Sequence, residues 1–549
     1  MFSLIYSLLI TAVALFLLER MVMVDNQPRT YRLRRGLLSV VPHLVLYLTL
    51  LMLTYRPFFA GSGVISIFAA IVMLNNTKFR TLREPLVYAD FALLTELVRH
   101  PTLYIKYIGV WRIVLGSVLM AVLIGGSLVL DQPLIDRVRP FDWLPTVVYI
   151  GTVVGLIYAI VWGPLRRVFI NLLKQYGPTL DLSRDISSLS MLVCLICYFF
   201  LTDLPAPALR KRHLAMVERD LRNRTGHRLR LRPPSIEALL PSVLPHIVVM
   251  QNESFFDARR LGEAVPDDLL SAFDALCGEA RFRGQLKVPA WGANTMRTEH
   301  AFLTGLPNEA MGGHRFNPYR LSALVPTWSI IHVLSLLGYE GICVHPFDPA
   351  FFGRDKVFSN LGFSRFLGIG EFEDAKRFGP YVSDVAVSEK VAEVLERAER
   401  PTFVFAITME NHGNWLPGRL DNETPSEVGL ELPFESQEFG CYLRHLRNAD
   451  RSFSAVAEAL HGGERPGIFC LYGDHMPSFP EVFRAAEFDE SETDYLVWAT
   501  TPGASVNANV AVESLGQLVI QSALSINLSE VSLPQVEPTV PGKKAGGAS

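Results

Sequence analysis

The chain has 549 residues, of which half are hydrophobic, and a formal net charge of −3. This length exceeds that of one ordinary domain, and the small net charge gives no support for nucleic-acid binding. Roughly the first 200 residues are dominated by long apolar segments, whereas the remainder has the mixed composition of a soluble domain with a substantial core.

The N-terminal part contains apolar runs of membrane-spanning length. Five of them approach or reach the roughly 20 residues that cross a bilayer core: 1–18, 37–55, 58–74, 110–130 and 144–163. A sixth run, 186–201, is shorter. We therefore predict a transmembrane domain of five to six helices over residues 1–203.

Loop charge predicts the orientation of these spans. The loops after the first, third and fifth runs are rich in Arg and Lys, whereas the loop after the fourth carries three Asp. The positive-inside rule then puts the three basic loops in the cytoplasm, and a sixth span places the following domain on the outer face. The basic linker 204–233 opposes this placement, although it can lie against anionic headgroups. With five spans, the amino terminus must be reversed or the catalytic domain internal.

From about residue 234 to 531, short apolar strands alternate with longer helices, which predicts a layered α/β domain. The candidate strands are 246–250, 284–288, 341–344, 402–408 and 467–472, and the candidate helices are 327–337, 383–398 and 439–460. The final residues, 532–549, have the composition of a disordered tail.

Polar residues follow several of these strands. Glu253 comes after the first strand, Asp474 and His475 after the last, and Thr295 begins a predicted helix. Because open α/β sheets bind ligands beyond the carboxyl ends of their strands, these side chains are expected to meet. We assign Glu253, Asp474 and His475 as ligands of a divalent ion, Mn²⁺ or Zn²⁺, and Thr295 as the nucleophile that this ion activates. Each residue alone also fits a cap or a turn.

Two further residues are candidates for contacts with a phosphate. His412 follows the strand 402–408 and could donate a hydrogen bond to a transferred group or protonate a departing oxygen. Arg354 could clamp a phosphate in bidentate fashion, or form a surface salt bridge. No glycine-rich nucleotide loop accompanies them, which disfavours a nucleoside triphosphate donor.

The neighbours of Thr295 and several aromatic residues complete the predicted site. Arg297 is expected to orient the nucleophile or to pair with Glu299. Phe352, Trp291 and Trp415 are candidates for the wall of a headgroup pocket, although aromatic residues near a core more often serve packing.

These motifs resemble those of the lipoteichoic acid synthase and periplasmic-glucan phosphoglycerol transferase group of the alkaline phosphatase/sulfatase superfamily. The resemblance covers most of the chain, and its motifs are Glu253-Ser254, Thr295 with Glu299, Asn411-His412 and Gly473-Asp474-His475. It implies an α-helical multi-span membrane domain followed by an α/β alkaline phosphatase/sulfatase-like domain. The expected location is the bacterial cytoplasmic (inner) membrane, with the catalytic domain on the periplasmic or extracellular side.

The segment 344–354 resembles the headgroup-binding region of this group, with Arg354 at the position of the family arginine. Phe352 replaces a tryptophan of the family, and Phe347 stands at the position of the family aspartate, with Asp348 beside it. Phe352 and Asp348 are therefore candidate substrate-binding residues. Because of these departures, the sequence identifies the headgroup less firmly than it identifies the metal site.

The resemblance also implies a reaction. Thr295, bound to one divalent metal, attacks the phosphodiester of phosphatidylglycerol, diacylglycerol leaves, and the phospho-threonine passes its glycerophosphate to an extracytoplasmic glycan, polymer or glycolipid. The expected metal is Mn²⁺, with Zn²⁺ or Mg²⁺ as alternatives.

Two other functions remain open at this stage. One is phosphoethanolamine transfer to an envelope glycolipid or glycan, which uses the same superfamily fold and a threonine nucleophile. The other is a noncatalytic membrane transporter or lipid-sensing protein, which predicts that Thr295→Ala leaves function intact. A sulfatase would use cysteine or serine as its nucleophile, and Thr295 argues against it.

Overall fold

A computed structural model describes residues 2–25, 33–93, 109–134, 143–202, 241–419 and 436–524. The chain divides into two compact units, the first comprising Met1–Pro205 with Gly312–Phe316 and the second Ala206–Met311 with Asn317–Ser549. The predicted basic linker 204–233 and the predicted tail 532–549 lie outside the described residues.

The first unit is built from helices. In chain order they are α1 (Phe2–Met21), α2 (Leu33–Thr54), α3 (Pro57–Leu82), α4 (Val110–Leu130), α5 (Leu144–Val161), α6 (Arg166–Lys174), α7 (Leu182–Leu189) and α8 (Met191–Thr202), with a 3₁₀ helix at Tyr88–Leu93. Among the described residues, α1, α3, α4 and α5 are long and apolar enough to cross a membrane. Most side chains of α4 and α5 are exposed and apolar, as expected for helices that face hydrocarbon.

The other two predicted spans differ from simple transmembrane helices. Helix α2 contains Pro42, and its apolar part, Ser39–Thr54, is shorter than the other spans. The sixth run is divided at Ser190, whose φ of 79° separates α7 from α8. With 12 residues, α8 is only about 18 Å long at 1.5 Å per residue. The buried Asp185 anchors the chain before the break, because its carboxylate accepts hydrogen bonds from Thr179, Leu180 and Tyr198.

The second unit is an α/β domain. Its strands are β1 (His246–Asn252), β2 (Phe282–Lys287), β3 (Glu340–Val344), β4 (Arg365–Leu367), β5 (Arg377–Phe378), β6 (Tyr381–Val382), β7 (Thr402–Ile407), β8 (Gly467–Gly473), β9 (Thr493–Ala499), β10 (Val506–Asn507) and β11 (Val510–Ala511). Its helices are α9 (Ser271–Glu279), α10 (Thr295–Thr304), α11 (Tyr319–Ser322), α12 (Ile330–Leu336), α13 (Arg354–Asn360), α14 (Asp384–Glu396), α15 (Gln437–Gly462), α16 (Pro480–Ala485) and α17 (Val512–Leu524). Short 3₁₀ helices lie at Ala258–Leu261, Asp267–Leu270, Asn308–Phe316, Phe351–Gly353, Ile369–Phe372 and Pro417–Arg419.

The main sheet has nine strands, in the order β10-β2-β9-β8-β1-β7-β3-β4, with β11 paired to β2. Strands β8, β1, β7, β3 and β4 are parallel, whereas β9 is antiparallel to both β8 and β2. Along β1, Ile247 and Val249 enter one hydrophobic core, and Val248 and Met250 enter the other. Both faces of the sheet are therefore covered, as in layered α/β domains.

The sequence predicts this architecture well. Each of the five predicted strands coincides with an observed strand, and the three predicted helices correspond to α12, α14 and α15. Strand β9 has no counterpart among the predicted strands, although all seven of its residues are buried. The predicted class, membrane helices followed by an α/β domain, is confirmed.

Candidate active site

Two neighbouring strands bring the predicted carboxylates together. Asn252 at the end of β1 is paired in register with Gly473 at the end of β8, so the next residues, Glu253 and Asp474, leave the sheet side by side. A β-carbon on Gly473 would lie 1.8 Å from the carbonyl oxygen of Phe255. The glycine of the Gly-Asp-His motif is therefore required by the close approach of two backbones.

The protonation of His475 follows from its hydrogen bond. Its Nδ1 lies 3.0 Å from the carbonyl oxygen of Met476, which can only accept, so Nδ1 carries the proton. The unprotonated Nε2 then faces Glu253 Oε1 at 3.5 Å and Asp474 Oδ2 at 3.2 Å. In this tautomer, His475 Nε2 and one oxygen of each carboxylate converge with their lone pairs.

This cluster fits a divalent cation. The ligand atoms of Glu253, Asp474 and His475 lie within 4.8 Å of one another, and all three residues are buried. Two atoms bound about 2.1 Å from one ion are separated by roughly 3.4 Å in a tetrahedral shell, close to the distances to His475 Nε2. Asp474 Oδ2 is buried and accepts no hydrogen bond within the described part of the chain. Burial raises the pKa of both carboxyl groups, because their ionised forms are unfavourable in a buried site without a positive partner.

Thr295 lies at the edge of this cluster. It is the first residue of α10 and follows Asn294, whose left-handed backbone (φ 71°) turns the chain into the helix. Its Oγ1 lies 3.5 Å from His475 Nε2. One turn further on, Thr298 donates to the carbonyl oxygen of Asp474 at 2.7 Å, which ties the helix to the ligand loop. The partial positive charge of a helix N-terminus also favours an anionic group here.

Arg354 is held by a buried carboxylate. Its Nε donates to Glu299 Oε2 at 3.2 Å, and its Nη2 donates to Glu299 Oε1. Tyr319 donates its hydroxyl to the same carboxylate. The edge of the guanidinium formed by Nε and Nη2 is therefore occupied by Glu299. The Nη1 atom makes no hydrogen bond to a described residue. A phosphate would have to approach the Nη1 end.

The remaining predicted residues lie in different surroundings. Arg297 is buried on α10, and Glu299 pairs with Arg354, so the expected pairing of Arg297 with Glu299 is not the one that the structure shows for this carboxylate. The ring of Phe352 lies 5.4 Å from the Arg354 guanidinium, as in a cation–π contact. Asp348 is half-exposed and accepts a hydrogen bond from the backbone of Ala350, which closes a turn.

His412 is oriented by its own backbone. Its Nδ1 lies 2.8 Å from the carbonyl oxygen of Gly413, so the proton is on Nδ1 and Nε2 is a proton acceptor. Burial lowers the pKa of His412 to about 4, and the positive charges of Arg419 and Arg354 act in the same direction. The imidazole is therefore neutral at physiological pH. This geometry favours a base over the proton donor that the sequence led us to expect.

The two tryptophans serve packing. Trp415 donates to the side-chain oxygen of Asn411 at 2.8 Å and packs against Tyr442 and Phe479. Trp291 packs against Phe483. Neither contact assigns these residues to a headgroup pocket.

His345 belongs to the site and was missed among the predicted residues. It directly follows β3, its Nδ1 lies 3.3 Å from the carbonyl oxygen of Ile407, and its buried Nε2 has no hydrogen-bond partner among the described residues. Burial lowers its pKa, and Arg354 and His412 contribute to the shift, which places both near it. The strand-end rule that selects Glu253 would have found it.

A layer of buried polar residues supports Glu253 from behind. The hydroxyl of Thr408 accepts from the backbone N–H of Glu253 and from Asn252 Nδ2, both at 3.1 Å. Asn252 Nδ2 also donates to Asp384 at 2.9 Å, and the Asp384 N–H donates to Glu410 at 2.8 Å. Because all of these residues are buried and hydrogen-bonded to one another, they hold the loop that carries Glu253 in place.

The fold and this ligand set define an alkaline phosphatase/sulfatase-like domain. Residues 245–511 match the sequence model of the Sulfatase family. The match covers just under half of the chain, includes the whole candidate site and agrees with the superfamily that the motifs indicated.

Individual proteins resemble longer parts of the chain. The "Capsular polysaccharide biosynthesis protein RkpI" of Rhizobium meliloti is 28% identical over 457 residues, covering 81% of this chain and 78% of that protein. The phosphoglycerol transferase GacH of Streptococcus pyogenes, solved with sn-glycerol-1-phosphate, is 22% identical with a TM-score of 0.43, covering 58% of this chain and 80% of that one. The periplasmic domain of phosphoethanolamine transferase EptC from Campylobacter jejuni is 12% identical with a TM-score of 0.35, covering 53% and 92%.

Proposed function

We propose that this protein transfers the glycerophosphate headgroup of phosphatidylglycerol to a cell-surface glycan or polymer, through a phospho-threonine on Thr295. The observation that carries the proposal is the Thr295 hydroxyl, 3.5 Å from His475 Nε2 and beside the carboxylates of Glu253 and Asp474. A hydroxyl at a cluster of metal-ligand type is the arrangement required for metal-assisted attack on phosphorus. The name of RkpI, the relative that covers most of the chain, supports a polysaccharide acceptor.

In the first step, the Thr295 oxygen forms a bond to phosphorus and loses its proton. The bond from phosphorus to the diacylglycerol oxygen breaks, and diacylglycerol leaves with a proton from solvent. A bound divalent ion, proposed to be Mn²⁺ with Zn²⁺ or Mg²⁺ as alternatives, would lower the pKa of the hydroxyl and offset phosphate charge. Arg354 contributes its Nη1 end to the phosphate oxygens, because Glu299 holds the other edge.

In the second step, an acceptor hydroxyl attacks the phospho-threonine, and the Thr295 oxygen leaves. The neutral His412 is suited to take the proton of the incoming hydroxyl at Nε2, since its other nitrogen donates to Gly413. A catalytic base must be unprotonated when the acceptor arrives, and a pKa of about 4 satisfies that condition at neutral pH.

The charges around the site favour glycerol over ethanolamine. An ethanolamine headgroup carries an ammonium ion, which needs a free carboxylate or a comparable partner. Glu253 and Asp474 belong to the metal cluster, and Glu299 is committed to Arg354. Asp348 is engaged in a turn at a half-exposed position. The other groups described at the site, Arg354, His345 and His412, are cationic or neutral, which suits an uncharged diol.

The loop charges support an external location for the domain. We place it on the outer side of the bacterial cytoplasmic membrane, where phosphatidylglycerol of the outer leaflet and a surface glycan are both available. The basic loops after the first, third and fifth apolar runs support this orientation. Protease accessibility in spheroplasts tests it, and protection of the domain in intact spheroplasts would reverse the topology.

The donor is tested with the full chain in lipid nanodiscs containing either headgroup-labelled phosphatidylglycerol or headgroup-labelled phosphatidylethanolamine. We expect a glycerophosphate adduct on the Thr295 peptide by mass spectrometry, no adduct in Thr295→Ala, and partial turnover in Thr295→Ser. An adduct formed only from phosphatidylethanolamine would establish the alternative enzyme. Undiminished function in Thr295→Ala would point to a noncatalytic protein.

A further inference from the structure

A cavity of about 540 Å³ lies inside the membrane unit. It is formed by the first half of α1, the first half of α3 and the last half of α4. Its walls are mostly apolar, and its polar lining consists of four hydroxyl side chains and one carboxylate: Ser7, Thr11, Ser62, Ser127 and Asp131. A cavity of this volume is in the range of small-molecule sites.

Part of this polar lining has no partner in the protein. Thr11 and Ser62 are 5% and 8% exposed, and neither hydroxyl makes a hydrogen bond within the described part of the chain. Ser7 and Ser127 differ, because they donate to the carbonyl oxygens of Pro57 and Ile124. Unpaired hydroxyls are costly in hydrocarbon. Thr11 and Ser62 therefore call for a hydrogen-bonding ligand in the cavity.

The carboxylate of Asp131 closes one end of the cavity. Its Oδ2 accepts from the backbone N–H groups of Phe58 and Phe59 at 2.7 and 3.1 Å, whereas Oδ1 makes no hydrogen bond to a described residue. A carboxylate facing a largely apolar space accepts from a hydroxyl. Arg56, which donates to the carbonyl oxygens of Leu128 and Asp131 nearby, does not line the cavity and so offers no phosphate partner inside it. The lining thus favours an uncharged amphiphile with a hydroxyl group.

The position of the cavity along the spans selects a leaflet. Because α1 and α3 run parallel and α4 runs antiparallel to them, the start of α1, the start of α3 and the end of α4 lie at the same membrane face. The opposite ends of α1 and α3 lead into the basic loops, which the positive-inside rule places in the cytoplasm. The cavity therefore opens at the level of the outer leaflet.

We propose that this cavity binds diacylglycerol, with its free hydroxyl between Asp131, Thr11 and Ser62 and one acyl chain against the apolar wall. This inference rests on the proposed function, because diacylglycerol is the alcohol released when Thr295 takes the headgroup. The cavity is then a site where the lipid product is held, and diacylglycerol inhibits turnover by occupying it.

Two adjacent glycines of α4 provide a matched test. Gly126 lines the cavity and Gly125 does not, and an added β-carbon at either position meets no atom within 4 Å. Gly126→Leu should fill the cavity, whereas Gly125→Leu adds the same side chain outside it. The full chain in phosphatidylcholine nanodiscs is labelled with a photoreactive diacylglycerol, and the labelled peptides are mapped to α1, α3 and α4.

We expect labelling of the wild type and Gly125→Leu to be equal, and labelling of Gly126→Leu to fall by roughly tenfold or more because its side chain occupies the ligand volume. Thr11→Val combined with Ser62→Ala, which changes little volume, should also weaken labelling. Equal labelling of the two leucine variants would overturn the proposal, as would equal labelling of these peptides by photoreactive phosphatidylglycerol. Thr295→Ala should label like the wild type, because Thr295 is not part of the cavity. Intact labelling of a wild type that transfers no headgroup from phosphatidylglycerol would reject the proposed function alone.

Discussion

Arg354 and Glu299 form a buried ion pair, with the arginine side chain 3% exposed and the glutamate fully buried. Glu299 lies on α10, one turn after Thr295, and Arg354 is the first residue of α13. Because Tyr319 also donates to this carboxylate, both α11 and α13 are tied to the helix that carries the nucleophile. The pair fixes the position of α10 and sets the orientation of the Nη1 end of the Arg354 guanidinium.

Removing the negative member of this pair should be strongly destabilising. Glu299→Gln leaves a buried, uncompensated guanidinium, and we expect a loss of about 3–5 kcal/mol in the free energy of unfolding. The matched control is Glu393→Gln, which breaks the exposed pairs with Lys390 and Arg397 and should cost less than about 1 kcal/mol. Thermal unfolding of both variants measures the difference, and equal losses would show that the buried pair is not special.

Metal binding should depend on Glu253. Glu253→Gln keeps the size of the side chain but removes its charge, so we expect the bound divalent ion to be lost on dialysis while the wild type retains one equivalent per chain. Elemental analysis of the dialysed protein measures this. Chelation of the wild type should abolish turnover, with recovery on addition of Mn²⁺. Retention of one tightly bound ion by Glu253→Gln would remove this residue from the ligand set.

Gly473 should tolerate no side chain. In Gly473→Ala the new methyl group overlaps the carbonyl oxygen of Phe255, which forces the end of β8 away from the end of β1. We expect a loss of about 1–3 kcal/mol in stability together with weaker metal binding, since Asp474 moves relative to Glu253. Gly278→Ala is the control, because a β-carbon there meets no atom within 4 Å. Normal metal binding by Gly473→Ala would contradict the close approach.

The carboxyl groups behind Glu253 predict a dependence of stability on pH. Burial raises the pKa of Asp384 to about 8 and that of its neighbour Glu410 to about 7. The folded state therefore holds protons that the unfolded state releases near pH 4. This contribution is fully present below that pH and is lost as the pH rises toward 8, at up to about 1.4 kcal/mol per pH unit for each proton.

Asp384→Asn removes one of the two carboxyl groups that bind these protons in the folded state. We expect the unfolding temperature of this variant to fall less steeply than that of the wild type between about pH 5 and pH 8. This range lies between the unfolded and the folded pKa values of the two carboxyl groups. Scans of the two proteins in one buffer series measure the difference. Parallel curves would show that Asp384 is already ionised in the folded protein.

The strand-end rule explains why much of the site could be predicted. Glu253, Asp474 and His475 directly follow buried strands, and the parallel arrangement of β1 and β8 brings them together. Thr295 begins a helix, as its sequence context indicates. These residues can be recognised because the local sequence pattern shows where each strand ends.

The pairing of Glu299 could not be read in the same way. Arg297 is the nearer candidate in sequence, but residues two apart on a helix do not face each other. The actual partner, Arg354, comes from another helix 55 residues away. Similarly, the apolar character of the sixth run does not reveal the break at Ser190, because a positive φ at a serine is not recorded in a hydropathy pattern.

The register of β1 and β8 also determines when the metal can bind. Ser254 and Asp474, which join the two ligand loops, are 220 residues apart in the chain, so no ligand set exists until most of the domain has been synthesised and its central strands have paired. An unfolded chain carried across a membrane therefore cannot bring its ion along. Under the proposed function, the compartment in which the sheet assembles, rather than the one in which the chain is made, would decide which metal the cluster binds.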